Sequence, residues 1–289
     1  MISVRPPMLF VAVCALAACT DERAADQKTD SATAAAAAPV ARTTPNVVTI
    51  KSVDFAFVAP DSIEAGPVTV RLEQNGKELH QASFIRLDSG RTSNDLLAAL
   101  KNPGPLPTWA VEVAGVNPTA PGTVSQGTVS LAPGNYVLIC FVPSPDGLPH
   151  VAKGMIRPIT VIGPAVAALP MPGDIEMRLT DYEFLVSAPL TAGPHVIRVV
   201  NTATQDHEVF LARLAPGKTA PDLARWMDKQ QGPPPAEALG GISGLGVGQS
   251  ASFPVTLTPG EYGLFCFLPD AKDGKPHVAH GMIRQFKVG

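Results

Sequence analysis

From Val47 onward the apolar residues of this chain fall in short runs punctuated by Gly, Pro and Asn. Val68-Thr69-Val70-Arg71-Leu72 and Val196-Ile197-Arg198-Val199-Val200 are β-branched runs bounded by Gly-Pro and Asn turns, which predicts strands. Tyr136-Val137-Leu138-Ile139-Cys140-Phe141 follows an Ala-Pro-Gly turn and is apolar throughout, the pattern of a buried central strand. A last strand is predicted over Ile156 to Val161 and again over Ile283 to Val288. Helical signals are confined to two places. Ser93-Asn94-Asp95 is read as a cap for Leu96 to Lys101, and Pro221-Asp222 opens Leu223 to Lys229. Each helix interrupts a series of strands, so the fold class is all-β, a sandwich or barrel carrying a short inserted helix.

The pattern occurs twice. Asp54-Phe55-Ala56-Phe57 returns as Asp181-Tyr182-Glu183-Phe184, and Ala65-Gly66-Pro67 as Ala192-Gly193-Pro194. Leu131-Ala132-Pro133-Gly134-Asn135-Tyr136 returns as Leu257-Thr258-Pro259-Gly260-Glu261-Tyr262. Pro149-His150-Val151-Ala152 and Gly154-Met155-Ile156-Arg157 return as Pro276-His277-Val278-Ala279 and Gly281-Met282-Ile283-Arg284. Their nearly constant spacing indicates a duplication, with domains at 47–162 and 174–289 joined by an Ala- and Pro-rich segment at 163–173.

The first residues read differently. Arg5 precedes an apolar stretch from Met8 to Ala18, too short to span a bilayer and of signal-peptide length. Leu16-Ala17-Ala18-Cys19 resembles a bacterial lipobox, which implies a signal peptide over 1–18 and lipidation of Cys19. Thr20 in place of an Asp favours the outer membrane by the same resemblance. Residues 19–46 are charged and then rich in Ala, Thr and Pro, the composition of a flexible spacer. The expected location is the periplasmic side of a bacterial membrane, anchored through the lipid alone. The formal net charge of −3 becomes one unit more negative when Arg5 leaves, which offers no basic surface for nucleic acid.

Once Cys14 leaves with the signal and Cys19 carries lipid, Cys140 and Cys266 remain, one per repeat. Lone thiols in an oxidising compartment call for a role beyond ordinary disulfides; a Cys140–Cys266 bridge between the repeats is one alternative. Another is suggested by order along the chain. His80, Cys140, His150 and Met155 recur as His207, Cys266, His277 and Met282. A thiolate, two imidazoles and a weak thioether are the donor set of a blue-copper site, and a thioether suits zinc poorly. Read singly, each residue is also an ordinary core or surface side chain.

In this order and strand context the chain resembles the cupredoxins, the plastocyanin and azurin family. The resemblance implies two tandem Greek-key β-sandwiches. It implies copper held by His80, Cys140, His150 and Met155 in the first, and by His207, Cys266, His277 and Met282 in the second. The Cys-to-His segments are longer than in familiar members, and Pro143 to Gly147 and Asp270 to Gly274 are rich in turn residues. His280, whose counterpart is Lys153, is read as a surface residue or one just outside the ligand set. No His flanks Cys140 or Cys266, and no hydrolase motif occurs, so the expectation is a protein without enzymatic activity. Single-electron transfer to unidentified redox protein partners is the expected function. Copper-free binding modules, or copper capture and delivery without turnover, are the alternatives.

Overall fold

The computed structural model describes residues 44–289 apart from 103, 105 and 167–169. The expected signal peptide, the lipidated Cys19, nearly all of the 19–46 linker and part of the 163–173 join lie outside the described residues. The first repeat contributes β1 (Asn46–Val53), β2 (Ala56–Val58), β3 (Ser62–Glu64), β4 (Gly66–Gln74), β5 (Ala82–Leu87), α1 (Ser93–Ala99), β6 (Ala110–Val116), β7 (Val124–Leu131), β8 (Gly134–Ile139) and β9 (Ile156–Ile162). The second contributes β10 (Ile175–Thr180), β11 (Glu183–Val186), β12 (Gly193–Asn201), β13 (His207–Leu214), α2 (Ala220–Lys229), β14 (Ala236–Leu245), β15 (Ser250–Leu257), β16 (Gly260–Phe265) and β17 (Ile283–Val288). Among the described residues no helix is long and apolar enough to cross a membrane.

The strands form two sheets, and each sheet runs through both repeats. One is ordered β11-β10-β12-β15-β7-β4-β1-β2, the other β17-β16-β13-β14-β6-β5-β8-β9-β3. Edge strands that would otherwise offer unpaired N–H and C=O groups are thus joined to each other, β15 to β7 and β14 to β6. At the second junction Val116 faces Ile242 and Gly115 faces Ser243, while Asn117 N–H donates to the Gly241 carbonyl at 3.0 Å. Corresponding residues of the two repeats meet, so the join is close to two-fold symmetric. Gly115 is required by this approach: a Cβ there would lie 2.1 Å from the Ala82 carbonyl oxygen and 2.4 Å from Ser243 Oγ.

The continuously apolar β8 is explained by burial on both of its faces. Tyr136 and Leu138 point into the core between the sheets, whereas Val137 and Ile139 pack outward with Leu96 of α1. In the second repeat Tyr262 and Leu264 face inward, and Phe265 meets Ala220 and Leu223 of α2. α1 begins at Ser93, three residues before the expected Leu96, and α2 at Ala220, one residue before Pro221. Thr92 and Thr219 are the N-caps, each in a capping box with the acid three residues on, Asp95 and Asp222. The reciprocal pairing of hydroxyl and carboxylate, rather than the Ser-Asn run, sets the start of α1.

A polar seam crosses the junction. Asn117 Nδ2 donates to Glu208 Oε2 at 3.2 Å and to the carbonyls of Val209 and Ile242 at 3.0 and 3.1 Å. Ser83 Oγ donates to Ser243 Oγ at 2.9 Å. Asn117→Ala strips a buried carboxylate and two carbonyls of their donor, so a loss of about 3 kcal/mol is expected in urea unfolding of the full chain. Beside this seam, burial and then the charges of Asp206 and Glu208 push the Glu112 carboxyl up to about 8. The unfolded chain releases that proton at lower pH than the folded one, so the folded state is favoured below the ordinary value of 4.5 and loses that advantage as pH rises to about 8. Thermal unfolding is expected to move to lower temperature across that window, and Glu112→Gln is expected to flatten the slope.

Candidate metal centres

Each Cys sits one position past the end of a central strand and points into the core shared by the two sheets. Backbone bonds then gather the rest of the cluster around it. His150 N–H donates to the Val142 carbonyl at 2.9 Å, Val151 N–H to that of Cys140 at 2.9 Å, and Cys140 N–H to that of Met155 at 3.2 Å. The second repeat repeats the scheme, with Cys266 N–H bonded to the Met282 carbonyl at 3.3 Å and His277 N–H to that of Leu268 at 2.9 Å. The long Cys-to-His segments do not disturb this. Pro143 pairs with Pro149, and Pro269 with Pro276, so the extra residues close into an outward loop and the chain returns beside the Cys.

The second His of each set opens a single 3₁₀ turn, His150–Lys153 or His277–His280. Gly154 and Gly281 end those turns at φ 102° and 96°, a left-handed conformation that glycine adopts without Cβ strain. The chain therefore doubles back, and the Met155 and Met282 N–H groups donate to the His150 and His277 carbonyls at 2.9 and 3.0 Å. Both Met side chains are wholly buried.

In each repeat the Cys sulfur and one nitrogen from each His lie within 4.8 Å of one another. In the first, His80 Nδ1 and His150 Nδ1 are 3.0 Å apart, and Cys140 Sγ is 3.3 Å from His150 Nδ1. In the second, Cys266 Sγ is 3.7 Å from His207 Nδ1 and 3.2 Å from His277 Nδ1. All six side chains are fully buried. Cys140 and Cys266 are both free, so the inter-repeat disulfide is not formed.

Carboxylates hold the outer ring nitrogens of His80, His150 and His207. His80 Nε2 lies 2.7 Å from Asp54 Oδ1 and His150 Nε2 lies 2.9 Å from Glu78 Oε2. His207 Nε2 lies 3.2 Å from Asp181 Oδ1. A carboxylate only accepts, so Nε2 carries the hydrogen and Nδ1 presents a lone pair inward. The repeats differ at the last position. Gln205 stands where the first repeat has Glu78, and it donates to Asp270 Oδ2 at 3.0 Å; Asp270 has taken over as the acid facing His277, at 3.8 Å. The acid has moved from the turn before the first His to the loop before the second. Only Asp54 and Asp181 left a trace in the sequence, as the recurring Asp that opens Asp-Phe-Ala-Phe and Asp-Tyr-Glu-Phe.

Two inward lone pairs 3.0 Å apart repel unless a proton or metal ion lies between them. Burial pushes the His imidazoles down from their ordinary values, His277 to about 4, where the charge of His207 adds to the effect. Burial also pushes the Cys140 thiol up to about 12, and the Cys266 thiol well above its ordinary value with the Glu208 charge adding to it. Without a metal ion the sulfur keeps its proton; a bound ion would displace that proton and satisfy the lone pairs together. The donors present therefore fit a metal, and thiolate, two imidazoles and thioether are the set of a type 1 copper centre.

No protein-family model matches the chain, and no curated protein matches it. Solved structures do. The auracyanin of the photosynthetic bacterium Roseiflexus castenholzii is 22% identical, with 42% of this chain and 98% of that chain covered and a TM-score of 0.30. Auracyanin A of Chloroflexus aurantiacus, a blue copper protein, is 23% identical over 41% of this chain and 100% of its own, with a TM-score of 0.30. The copper nitrite reductase of Nitrosomonas europaea is 13% identical over 85% of this chain and 94% of its own, with a TM-score of 0.23. These identities and TM-scores are low, and the tandem sandwiches are described by the chain's own two sheets and its repeated strand order. One expectation is corrected: with an enzyme, the nitrite reductase, among the structural neighbours, the residues beside Cys140 and Cys266 do not exclude oxidoreductase activity.

Asp54→Ala frees the His80 ring and is expected to lower metal affinity at the first centre by about 10- to 100-fold. The second centre is the internal control, and competition against a chelator measures both.

Proposed function

We propose that this chain is a copper-binding protein with two type 1 copper centres, one per repeat, that passes single electrons. The observation that carries the reading is the meeting of a buried Cys sulfur with two inward-facing His Nδ1 atoms in each sandwich. His80, Cys140, His150 and Met155 would hold one ion, and His207, Cys266, His277 and Met282 the other. Copper bound there supplies a one-electron couple, since thiolate and thioether favour Cu(I) while imidazole accommodates Cu(II). The protein keeps water out and fixes His80, His150 and His207 from outside through Asp54, Glu78 and Asp181.

Phe141 and Phe267, each bonded directly to a cluster Cys, line one cleft of about 500 Å³ between the repeats together with Leu79 and Glu208. A redox partner reaching into that cleft would touch chain neighbours of both centres. Export supports this reading: the apolar stretch from Met8 to Ala18 and the lipobox-like Leu16-Ala17-Ala18-Cys19 favour a lipid-anchored protein on the periplasmic side of a bacterial membrane, with Thr20 favouring the outer one.

Cu(II) added to the purified chain is expected to give an intense visible thiolate-to-copper band. Cys140→Ser and Cys266→Ser should each remove about half of it and the double variant all of it, one thiolate being needed per centre. A colourless protein whose thiols stay reactive would sink the reading. Tight Cu(I) binding without the band would indicate copper transport instead.

A further inference from the structure

Beside the second centre lies another group of donors, which shares only Asp270 with the surroundings of His277. Asp270, Asp273 and His280 bring two carboxylate oxygens and an imidazole nitrogen within 4.8 Å of one another. His280 Nε2 is 3.1 Å from Asp273 Oδ1, and both side chains reach solvent. Asp270 is buried and accepts from the Tyr182 hydroxyl and from Gln205 Nε2. These donors hold its carboxyl well below the usual range, Tyr182 contributing most, so it is an anion at neutral pH.

An independent feature points into the same group. His277 is wholly buried, its Nε2 makes no hydrogen bond, and that nitrogen faces Asp270 Oδ2 at 3.8 Å. That distance is too long for a hydrogen bond, and an orphaned buried polar atom is costly. The corresponding nitrogen in the first repeat, His150 Nε2, has Glu78 at 2.9 Å. Asp270 is held short of His277 by its other partners, Tyr182 and Gln205 at Oδ2 and the Lys272 N–H at Oδ1, while an oxygen of it lies within 4.8 Å of the Asp273 and His280 donor atoms.

The first repeat shows what this position accommodates. Lys153 replaces His280, Asp146 corresponds to Asp273, and Ser144 to Asp270. The Lys153 ammonium sits 2.7 Å from Asp146 Oδ2, a cation tethered to the chain. The second repeat exchanges that ammonium for an imidazole and adds a second carboxylate. Lys275 also reaches Asp273 Oδ2 at 3.0 Å, from an exposed side chain. Removing a fixed cation while adding an acid and a nitrogen donor converts an ion pair into a ligand set.

We propose that Asp270, Asp273 and His280 form a third metal site, specific to the second repeat, for a divalent ion that accepts mixed nitrogen and oxygen ligation, such as Cu(II). Imidazole with carboxylates suits Cu(II), and no thiolate takes part. The buried centres need not be copper centres for this site to exist.

The test is a Cu(II) titration of the full chain carrying no histidine tag, followed by paramagnetic resonance and visible absorption together. Beyond any copper that produces the thiolate band, one further equivalent is expected, with a tetragonal nitrogen–oxygen signal and no intense visible band. His280→Lys, which restores the arrangement of the first repeat and its ammonium–Asp273 pair, should lose that equivalent while leaving the visible band unchanged. Asp273→Asn should weaken it. Absence of the extra equivalent in the parent chain, or its persistence in His280→Lys, overturns the proposal. Failure of the type 1 reading shows separately, as a missing visible band with the His280-dependent equivalent still present.

Discussion

Two imidazole nitrogens and a thiol sulfur converge inside each sandwich, and the surroundings hold the rings of His80, His150 and His207 in place. Water cannot satisfy these atoms, since all six side chains are fully buried. The rings are turned by carboxylates on the far side, Asp54 and Glu78 in the first repeat and Asp181 in the second. Each acid fixes the hydrogen on Nε2 and leaves Nδ1 bare. The arrangement is unfavourable for an empty core and favourable for a cation, which is why the cluster is better described as a ligand set than as packing.

Everything else about the local fold serves that convergence. The strand ending at Ile139 or Phe265 delivers the Cys to the inner face, the closed outward loop returns the chain, and the 3₁₀ turn with its left-handed Gly brings the Met back. The residues added between Cys and His lie outside the cluster because Pro143–Pro149 and Pro269–Pro276 pair across the base of the loop. Loop length and ligand geometry are therefore uncoupled, and the loop is free to vary. In the second repeat it varies into Asp270, which takes the place of Glu78 opposite the second His.

Joining the repeats through both sheets has a different consequence. Edges pair across the seam, Val116 with Ile242 in one sheet and Ser252 with Thr128 in the other, and the seam carries Asn117, Ser83, Ser243 and the buried acids Glu112 and Glu208. Glu208 follows His207 directly, and its Oε1 accepts from Phe267 N–H at 2.7 Å, next to Cys266. The seam thus touches the second centre through the chain itself, so the junction and that centre share one packing problem.

The duplication, the all-β class and the His and Cys residues that meet in each cluster were legible in the sequence because each is written in local order: β-branched runs between turns, and His, Cys and His recurring at matched spacing. α1 begins at Ser93, three residues before the expected Leu96, because the cap depends on a reciprocal Thr92–Asp95 pair rather than on composition. The carboxylates behind the rings were not legible. Asp54 precedes His80 by a whole strand and a turn, and nothing local ties the two together. The swap of Glu78 for Asp270 shows that the same role is filled from different places in the chain. Which ring nitrogen faces inward, whether the long loop spoils the site, and how the repeats join are set by contacts between distant segments, and these arise only when strands pair and side chains compete for the same buried space. Local order along the chain determined which donors are present; the tertiary structure decided where they point.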